Sequence, residues 1–216
     1  YGLYMVYERI QKDYVDLPIY AFGHSMGASI YRIIMMEQLI SYNKVILNGT
    51  GQSSTKGIGI IVFFGKFLRL FGKKRPSKFF DNIFRQTQFK LKEKVEMDHF
   101  IEWLTRDKEK TAINLKDEYL YISLSVSAFI NILQIFQVIN KKLFIKNTDK
   151  QPKYLIMSGT HDPATNFGID ATKLQDTFQR YGISSELKLY PEGRHDTLQE
   201  INRLEVFTDI IEFLKN

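Results

Sequence analysis

Short apolar runs alternate along the sequence with longer segments whose apolar residues recur at helical spacing. Four short segments of this kind of pattern are predicted to be β-strands, at Leu17–Phe22, Lys44–Leu47, Tyr154–Met157 and Glu186–Tyr190. Helical spacing predicts α-helices at Ala28–Ile40, Ile169–Tyr181 and Leu198–Leu214. Strands that alternate with helices form a mostly parallel sheet covered on both faces, so the predicted fold class is α/β with a doubly wound sheet.

The last predicted helix has a broad apolar side. We expect this side to pack on the sheet, because a helix of a globular domain buries its apolar stripe. The residues expected to face the core are Ile201, Leu204, Phe207, Ile210, Ile211 and Leu214.

The alternation of strands and helices stops between residues 52 and 150. There the spacing is mostly helical and includes the apolar stretch from Tyr119 to Ile145. The sequence therefore predicts three parts, which are a first part of the core at residues 1–51, a helical insertion at residues 52–150, and a second part of the core at residues 151–216.

Basic residues are concentrated within that insertion. Residues 56–94 carry eleven Lys or Arg and two acidic residues, so this segment has a net charge of +9 and the rest of the chain −3. The segment is also apolar, since Ile60, Phe64, Phe67 and Phe71 share one helical face. Such a helix either packs against the domain with its lysines in solvent, which we favour, or lies at a lipid headgroup layer.

Composition narrows the class of protein. Hydrophobic residues make up 44% of the chain and charged residues 25%, as in a folded domain and unlike a disordered chain. The basic charge is local and its aromatic residues are phenylalanines among aliphatic residues, so nucleic-acid binding is not expected. The chain has no cysteine, which excludes disulfides, thiolate zinc sites and cysteine nucleophiles. With no predicted membrane span or signal peptide, we expect a cytoplasmic protein.

The junction between the first predicted strand and helix has a G-x-S-x-G pattern, Gly23-His24-Ser25-Met26-Gly27. In a sharp strand-to-helix turn the serine stands above the carboxyl end of the sheet, and the residues two before and two after it must be small. Gly23 and Gly27 meet this requirement, and His24 is expected to support the turn. The amide of Met26 would begin the helix, where it can stabilise an oxyanion. The alternative is a Gly-rich turn whose serine has no catalytic role.

A serine nucleophile needs a base, and the base needs a carboxylate to orient it. Asp162 follows the strand at 154–157, and His195 follows the strand at 186–190. Because parallel strands end at the same edge of a sheet, the order Ser25, Asp162, His195 predicts a catalytic triad. Taken singly, each residue has a simpler explanation, since aspartates before proline open turns and loop histidines are often exposed.

Metal and cofactor motifs are lacking in the sequence. His24, His99 and His161 do not have metal-ligand spacing. Gly49-Thr50-Gly51 lacks the third glycine of a dinucleotide fingerprint, and no P-loop lysine follows a Gly-rich turn. We therefore expect neither a metal nor a cofactor.

Together these motifs resemble the α/β-hydrolase superfamily, in the branch of lysophospholipases and monoacylglycerol lipases that includes serine aminopeptidase-like hydrolases. The motifs that carry the resemblance are the elbow at residues 23–27 and the segments at 48–51, 100–107, 158–163, 189–196 and 200–203. The resemblance implies a serine hydrolase of lipid-like esters, such as a lysophospholipid or a monoacylglycerol, that forms an acyl-enzyme. It also implies that residues 52–150 are a helical lid over the acyl pocket.

Members of that branch carry several strands before the elbow and a His-Gly turn that supplies a second oxyanion N–H. The sequence shows no such stretch, so we expect an α/β-hydrolase fold without its N-terminal strands, with its first strand at an open sheet edge. Met26 is then the only evident oxyanion donor. Two further interpretations stay open, a catalytically impaired chain that binds membranes through residues 57–75 and a triad hydrolase of peptides or thioesters.

Overall fold

The computed structural model describes residues 2–54, 57–72, 82, 95–120 and 124–216. Its strands are β1 Tyr20–His24, β2 Lys44–Asn48, β3 Lys153–Gly159 and β4 Ser185–Tyr190. The α-helices, numbered within this part of the chain, are α1 Gly2–Asp13, α2 Met26–Glu37, α3 Ile58–Gly72, α4 Lys108–Asn114, α5 Val126–Ile139, α6 Lys142–Lys146, α7 Ile169–Arg180 and α8 Arg203–Lys215. Short 3₁₀ helices lie at Phe100–Trp103, Pro163–Thr165 and Thr197–Gln199.

The described strands form one parallel sheet in the order β1-β2-β3-β4. The register pairs Gly23 with Leu47, Leu47 with Ile156, and Ile156 with Leu187. All four predicted strands are present, although β1 begins at Tyr20 rather than at Leu17. The prediction of a parallel α/β sheet is therefore confirmed, and the carboxyl ends of all four strands lie at one edge.

Helices cover both faces of the sheet. In β2, Val45 and Leu47 belong to one apolar cluster, which includes residues of α1, α2 and α7. Ile46 points to the other face, where it joins Leu155 and the helix α8 in a second cluster. Because successive side chains of a strand point to opposite faces, each central strand contributes to both cores.

The side of α8 that packs on the sheet differs from the prediction. Val206 and Phe213 are buried, and Ile210 and Leu214 pack beside them as expected. The prediction was wrong for the remaining apolar residues, whose exposed fractions are 59% for Ile201, 76% for Leu204, 39% for Phe207 and 50% for Ile211. The helix has apolar residues on two sides, so its periodicity alone does not decide which side meets the sheet.

Strand β1 lies at an edge of the described sheet, as expected. Ala21 is buried in the cluster with α2, while Tyr20 and Phe22 on the opposite face remain 40% and 38% exposed. The elbow serine thus follows a strand that has one described neighbour, β2.

Between β2 and β3 the described residues form helices and turns. Helix α3 packs on α5 through Val62, which contacts the cluster formed by Phe129 and Ile130. The face predicted to be buried points outward instead, with Ile60, Phe64 and Phe67 largely exposed. The side chain of Phe71 and residues 73–75 lie outside the described part. In that part, no helix combines the length and the apolar character needed to cross a bilayer.

A buried arginine connects the elbow helix to this region. Arg32 of α2 donates hydrogen bonds to the carbonyl oxygen of Gly51 at 2.8 Å and to that of Ile139, the last residue of α5, at 2.9 Å. Its side chain is almost fully buried. Arg32 therefore holds α2, the turn after β2 and the end of α5 together.

Candidate active site

Ser25 occupies a strained turn between β1 and α2. Its dihedral angles are φ 54° and ψ −116°, which non-glycine residues rarely adopt. The amide of Ser25 donates to the carbonyl oxygen of Asn48 at 2.8 Å and so fixes the turn to the end of β2. At Gly23 a Cβ atom would lie 2.7 Å from the backbone of Ala28, so glycine is required there.

The two elbow positions after Ser25 differ from Gly23 in their surroundings. Among the described residues, and apart from its chain neighbours and the nearby backbone of its own helix, no heavy atom lies within 4 Å of where a Cβ of Gly27 would stand. The predicted need for a small residue therefore has a visible steric cause at Gly23 and none at Gly27. Met26 is the first residue of α2, where the backbone N–H groups have no partner within the helix.

Asp162 lies in the turn after β3. It is fully buried, and its Oδ1 accepts a hydrogen bond from the amide of Ala164 at 2.8 Å, which caps a 3₁₀ helix. The neighbouring amide of His161 donates to the carbonyl oxygen of Gly193 at 2.9 Å. The turn that carries Asp162 is thereby tied to the loop that follows β4.

His195 lies between Ser25 and Asp162. Its Nδ1 is 2.9 Å from Oδ2 of Asp162, and its Nε2 is 2.9 Å from Oγ of Ser25. Burial of the imidazole lowers the pKa of His195, but the charge and hydrogen bond of Asp162 outweigh it and leave this pKa above its usual value. The structure thus brings the three residues into the chain of hydrogen bonds that a serine nucleophile requires.

A second histidine lies beside the first. The ring of His24 is 4.8 Å from that of His195, and its Nδ1 is 3.0 Å from Nδ2 of Asn48. The carbonyl of this amide accepts from the hydroxyl of Thr197 at 3.1 Å, so Asn48 presents its NH₂ group to His24. Nδ1 of His24 then accepts and the proton resides on Nε2. Burial and the adjacent His195 lower the pKa of His24.

Sequence reasoning missed the contacts of the segment at residues 99–107, which we call the clamp segment. It lies against the loop after β4 at residues 191–202, which we call the histidine loop. The amide of His195 donates to the carbonyl oxygen of Trp103 at 3.3 Å, and that of Asp196 to Leu104 at 2.8 Å. The Trp103 ring stacks on the His195 ring, with centroids 4.8 Å apart and an interplanar angle of 26°.

Buried charges strengthen the same contact. Glu200 of the histidine loop is fully buried and accepts from Nε of Arg106 at 2.8 Å and from the amide of Arg194 at 2.9 Å. The guanidinium of Arg194 in turn donates to the carbonyl oxygen of Glu102. Charged hydrogen bonds out of water hold a geometry more firmly than neutral ones, so the clamp segment fixes the backbone on both sides of His195.

Gly159 permits the close approach of the loops that carry Asp162 and His195. A Cβ atom at this position would overlap the carbonyl group of Gly193. We expect Gly159→Ala to lower the free energy of unfolding by about 3 kcal/mol or more, since two backbones would have to separate. Denaturant unfolding measures this loss. As a control, Gly59→Ala in α3, where the nearest atom is at 3.6 Å, is expected to stabilise the chain slightly. Equal effects of the two substitutions would contradict the packing argument.

The remaining histidines lie apart from this chain of hydrogen bonds. His99 is exposed just before the 3₁₀ helix Phe100–Trp103, and the His161 side chain is half-buried. Within the described ranges, no group of three His, Asp or Glu side chains is placed to hold a metal ion.

The chain matches a known protein family over most of its length. The family profile described as "Serine aminopeptidase, S33" matches residues 2–202. No curated protein sequence matches the chain. The relationship of the chain to known sequences is therefore shown by the family profile and not by an individual curated sequence.

Solved structures share the fold at low sequence identity. A thermostable carboxyl esterase from Bacillus coagulans is 21% identical, with a TM-score of 0.86 over 99% of this chain and 69% of its own. A lipase in its open form is 20% identical, with a TM-score of 0.85 over 99% and 70%. A monoglyceride lipase from Saccharomyces cerevisiae is 20% identical, with a TM-score of 0.67 over 99% and 67%.

The fold and the family profile agree on one assignment. The sheet is parallel and flanked by helices, as in these structures, and the matched residues run from α1 into the histidine loop. The chain belongs to the serine aminopeptidase S33 family and is a serine hydrolase of the α/β-hydrolase superfamily.

Proposed function

We propose that the chain hydrolyses lipid-like esters, such as a monoacylglycerol or a lysophospholipid, through a triad of Ser25, His195 and Asp162. The observation that carries this proposal is the pair of 2.9 Å hydrogen bonds that links Ser25 to His195 and His195 to Asp162. These residues come from three separate loops at the carboxyl edge of the sheet.

The geometry supports a two-step reaction. Oγ of Ser25 attacks the ester carbonyl carbon while Nε2 of His195 takes the hydroxyl proton, and the amide of Met26 stabilises the oxyanion. The ester C–O bond then breaks, and His195 gives the proton to the leaving alcohol. Water attacks the acyl-enzyme with His195 again as base, and this step releases the carboxylic acid and restores Ser25. Asp162 holds the imidazole in the required tautomer throughout.

The proposed substrate class rests on the relatives and on residues 52–150. Three solved structures with this fold are a carboxyl esterase, a lipase and a monoglyceride lipase. We assign residues 52–150 to a lid between the core parts at 1–51 and 151–216, and α3 and α5 are two apolar helices within it. We place the protein in the cytoplasm, where a chain without cysteine loses nothing to the reducing environment.

Covalent labelling tests the nucleophile. A fluorophosphonate probe is expected to form one adduct on the folded chain, and peptide mass spectrometry should locate it at Ser25, because only this hydroxyl faces His195 among the described residues. Heat-denatured chain is the control and should remain unlabelled. An adduct on another serine, or equal labelling after denaturation, would contradict the assignment of Ser25.

Substrate comparison tests the ester class. Short esters, lysophospholipids and aminoacyl amides should be supplied to the same preparation, because the triad alone serves all three. We expect both ester classes to be hydrolysed faster than the amides. Preferred cleavage of the amides would instead support the peptide hydrolase alternative.

The exposed face of α3 supports a second role, contact with a membrane surface. Ile60, Phe63 and Phe64 are 65%, 71% and 60% exposed, and Lys66 is exposed nearby. Aromatic and aliphatic side chains beside basic residues insert at the boundary between anionic headgroups and acyl chains. This contact would bring the lid to its substrate.

Vesicle binding tests that contact. The double variant Phe63→Ser, Phe64→Ser is expected to lower partition onto anionic vesicles about tenfold, because two rings no longer leave water. Leu143→Ser is the matched control, since Leu143 is 68% exposed on α6, outside the α3 face. Cosedimentation at low salt measures both variants. No binding by the unsubstituted chain, or equal loss in the control, would count against this role.

A further inference from the structure

The imidazole of His195 has an aromatic neighbour from a distant part of the sequence. The ring of Trp103 stacks on it at a centroid distance of 4.8 Å and an interplanar angle of 26°. His195 is only 2% exposed, so this contact is made largely away from water. Trp103 belongs to the clamp segment and is half-buried.

Hydrogen bonds on both sides of the stack fix its geometry. The carbonyl oxygen of Trp103 accepts from the amide of His195 itself at 3.3 Å. Two residues further, the hydroxyl of Thr105 donates to the carbonyl oxygen of Gln199 at 2.8 Å. The backbone that carries the indole is therefore held to the same loop as the imidazole.

Such a stack interacts differently with the two protonation states of the imidazole. The face of an indole carries negative electrostatic potential and attracts a cation within about 6 Å of its centre. When Ser25 attacks an ester, His195 takes the proton and becomes a cation. Interactions that are stronger with this charged form than with the neutral form accelerate the reaction, since they stabilise the transition state more than the ground state.

We propose that Trp103 is a positioning residue that orients His195 and stabilises its protonated form during proton transfer. The clamp segment is then part of the proton-transfer machinery in addition to its place within the proposed lid. This inference rests on the proposed function for its catalytic consequence, but the stack itself can be measured without any substrate.

Other groups around His195 also influence its protonation. The carboxylates of Asp162 and Asp196 favour the cation, while His24 is kept as a neutral acceptor by Asn48. The guanidinium of Arg194, one residue away, lies 3.6 Å from the carboxylate of Glu102. Trp103 is uncharged. Its substitution by another uncharged residue is therefore expected to change the proton affinity of His195 while the number of charged side chains at the site stays the same.

The first test uses fluorescence, because Trp103 is the only tryptophan of the chain. A protonated imidazole in contact quenches indole emission more than a neutral one does. We therefore expect emission to rise with pH as His195 loses its proton, and His195→Gln to abolish this step. His24→Gln is the matched control and should keep it. A pH step that persists in His195→Gln, or the absence of a step in the unsubstituted chain, would overturn the proposal.

The second test uses kinetics with a short p-nitrophenyl ester. Trp103→Leu is expected to lower kcat about three- to tenfold with little change in KM, and to move the acid limb of the pH profile to lower pH. The acid limb moves to lower pH because a less stabilised imidazolium loses its proton more easily. Trp103→Phe, which keeps an aromatic face, should recover most of the rate. Identical pH profiles for the three chains would contradict the proposal.

Failure of the inference can be told apart from failure of the proposed function. Ser25→Ala should keep the fluorescence step although it removes the nucleophile. A chain with this step but without labelling or ester hydrolysis would reject the function and retain the stack. A labelled chain without the step would retain the function and reject the role of Trp103.

Discussion

Replacement of Ser25 by alanine is expected to lower kcat/KM for an ester about 10⁶-fold. The hydroxyl that lies 2.9 Å from Nε2 of His195 is lost, and no acyl-enzyme can form. The remaining groups act as a unit with the serine, so the base and its carboxylate contribute little without it. Steady-state hydrolysis of a p-nitrophenyl ester measures the loss.

The matched control removes a different serine hydroxyl. Ser53 donates to Oδ2 of Asp170 at 2.8 Å and lies outside the triad. Ser53→Ala should therefore retain kcat/KM within about twofold, as expected for a site remote from the chemistry. A large residual rate in Ser25→Ala would show that another group is the nucleophile.

Asp162→Asn is expected to lower kcat about 10⁴-fold at neutral pH. The carboxylate now accepts a hydrogen bond from Nδ1 of His195, which leaves Nε2 free to take the proton of Ser25. An amide can donate to Nδ1 and thereby place the imidazole proton on Nε2, where it faces the hydroxyl. The geometry stays similar while the base becomes the wrong tautomer.

Asp196→Asn provides a matched control at the next residue after His195. Its carboxylate accepts from Nε2 of Gln199 at 2.9 Å and affects His195 only through its charge. Because that charge raises the pKa of His195, its removal lowers this pKa and moves the acid limb of kcat/KM to lower pH. Full pH profiles of both variants make the comparison. Equal losses of kcat in the two would contradict the role of Asp162.

Much of the fold could be predicted because its signals are local. Each strand is a short segment closed by a turn, and the G-x-S-x-G pattern has the spacing that the elbow needs. The structure places Ser25, Asp162 and His195 after three strands of one parallel sheet, where the sequence predicts them. These three residues lie close together because parallel strands end at a common edge of the sheet.

The remaining features depend on contacts that the sequence does not display. The 3₁₀ helix Phe100–Trp103 has no periodicity that links it to a loop more than ninety residues later, yet its residues contact Arg194 and His195. Asn48 belongs to the segment at residues 48–51 that carries the family resemblance, and only the packed site shows that its amide faces His24. The orientation of α8 was missed for a similar reason, because the sheet selects one of two apolar sides.

The hydrogen bonds and the ring stack between the clamp segment and the histidine loop restrict how the substrate range can be engineered. A chimera that exchanges all of residues 52–150 for the corresponding part of a relative would also replace Trp103 and Arg106, the partners of His195 and Glu200. Such a hybrid would exchange the proposed lid and would also lose the contacts that hold His195, the proposed general base. We therefore expect hybrids whose crossover points leave residues 99–107 in place to be more active than hybrids that exchange this segment.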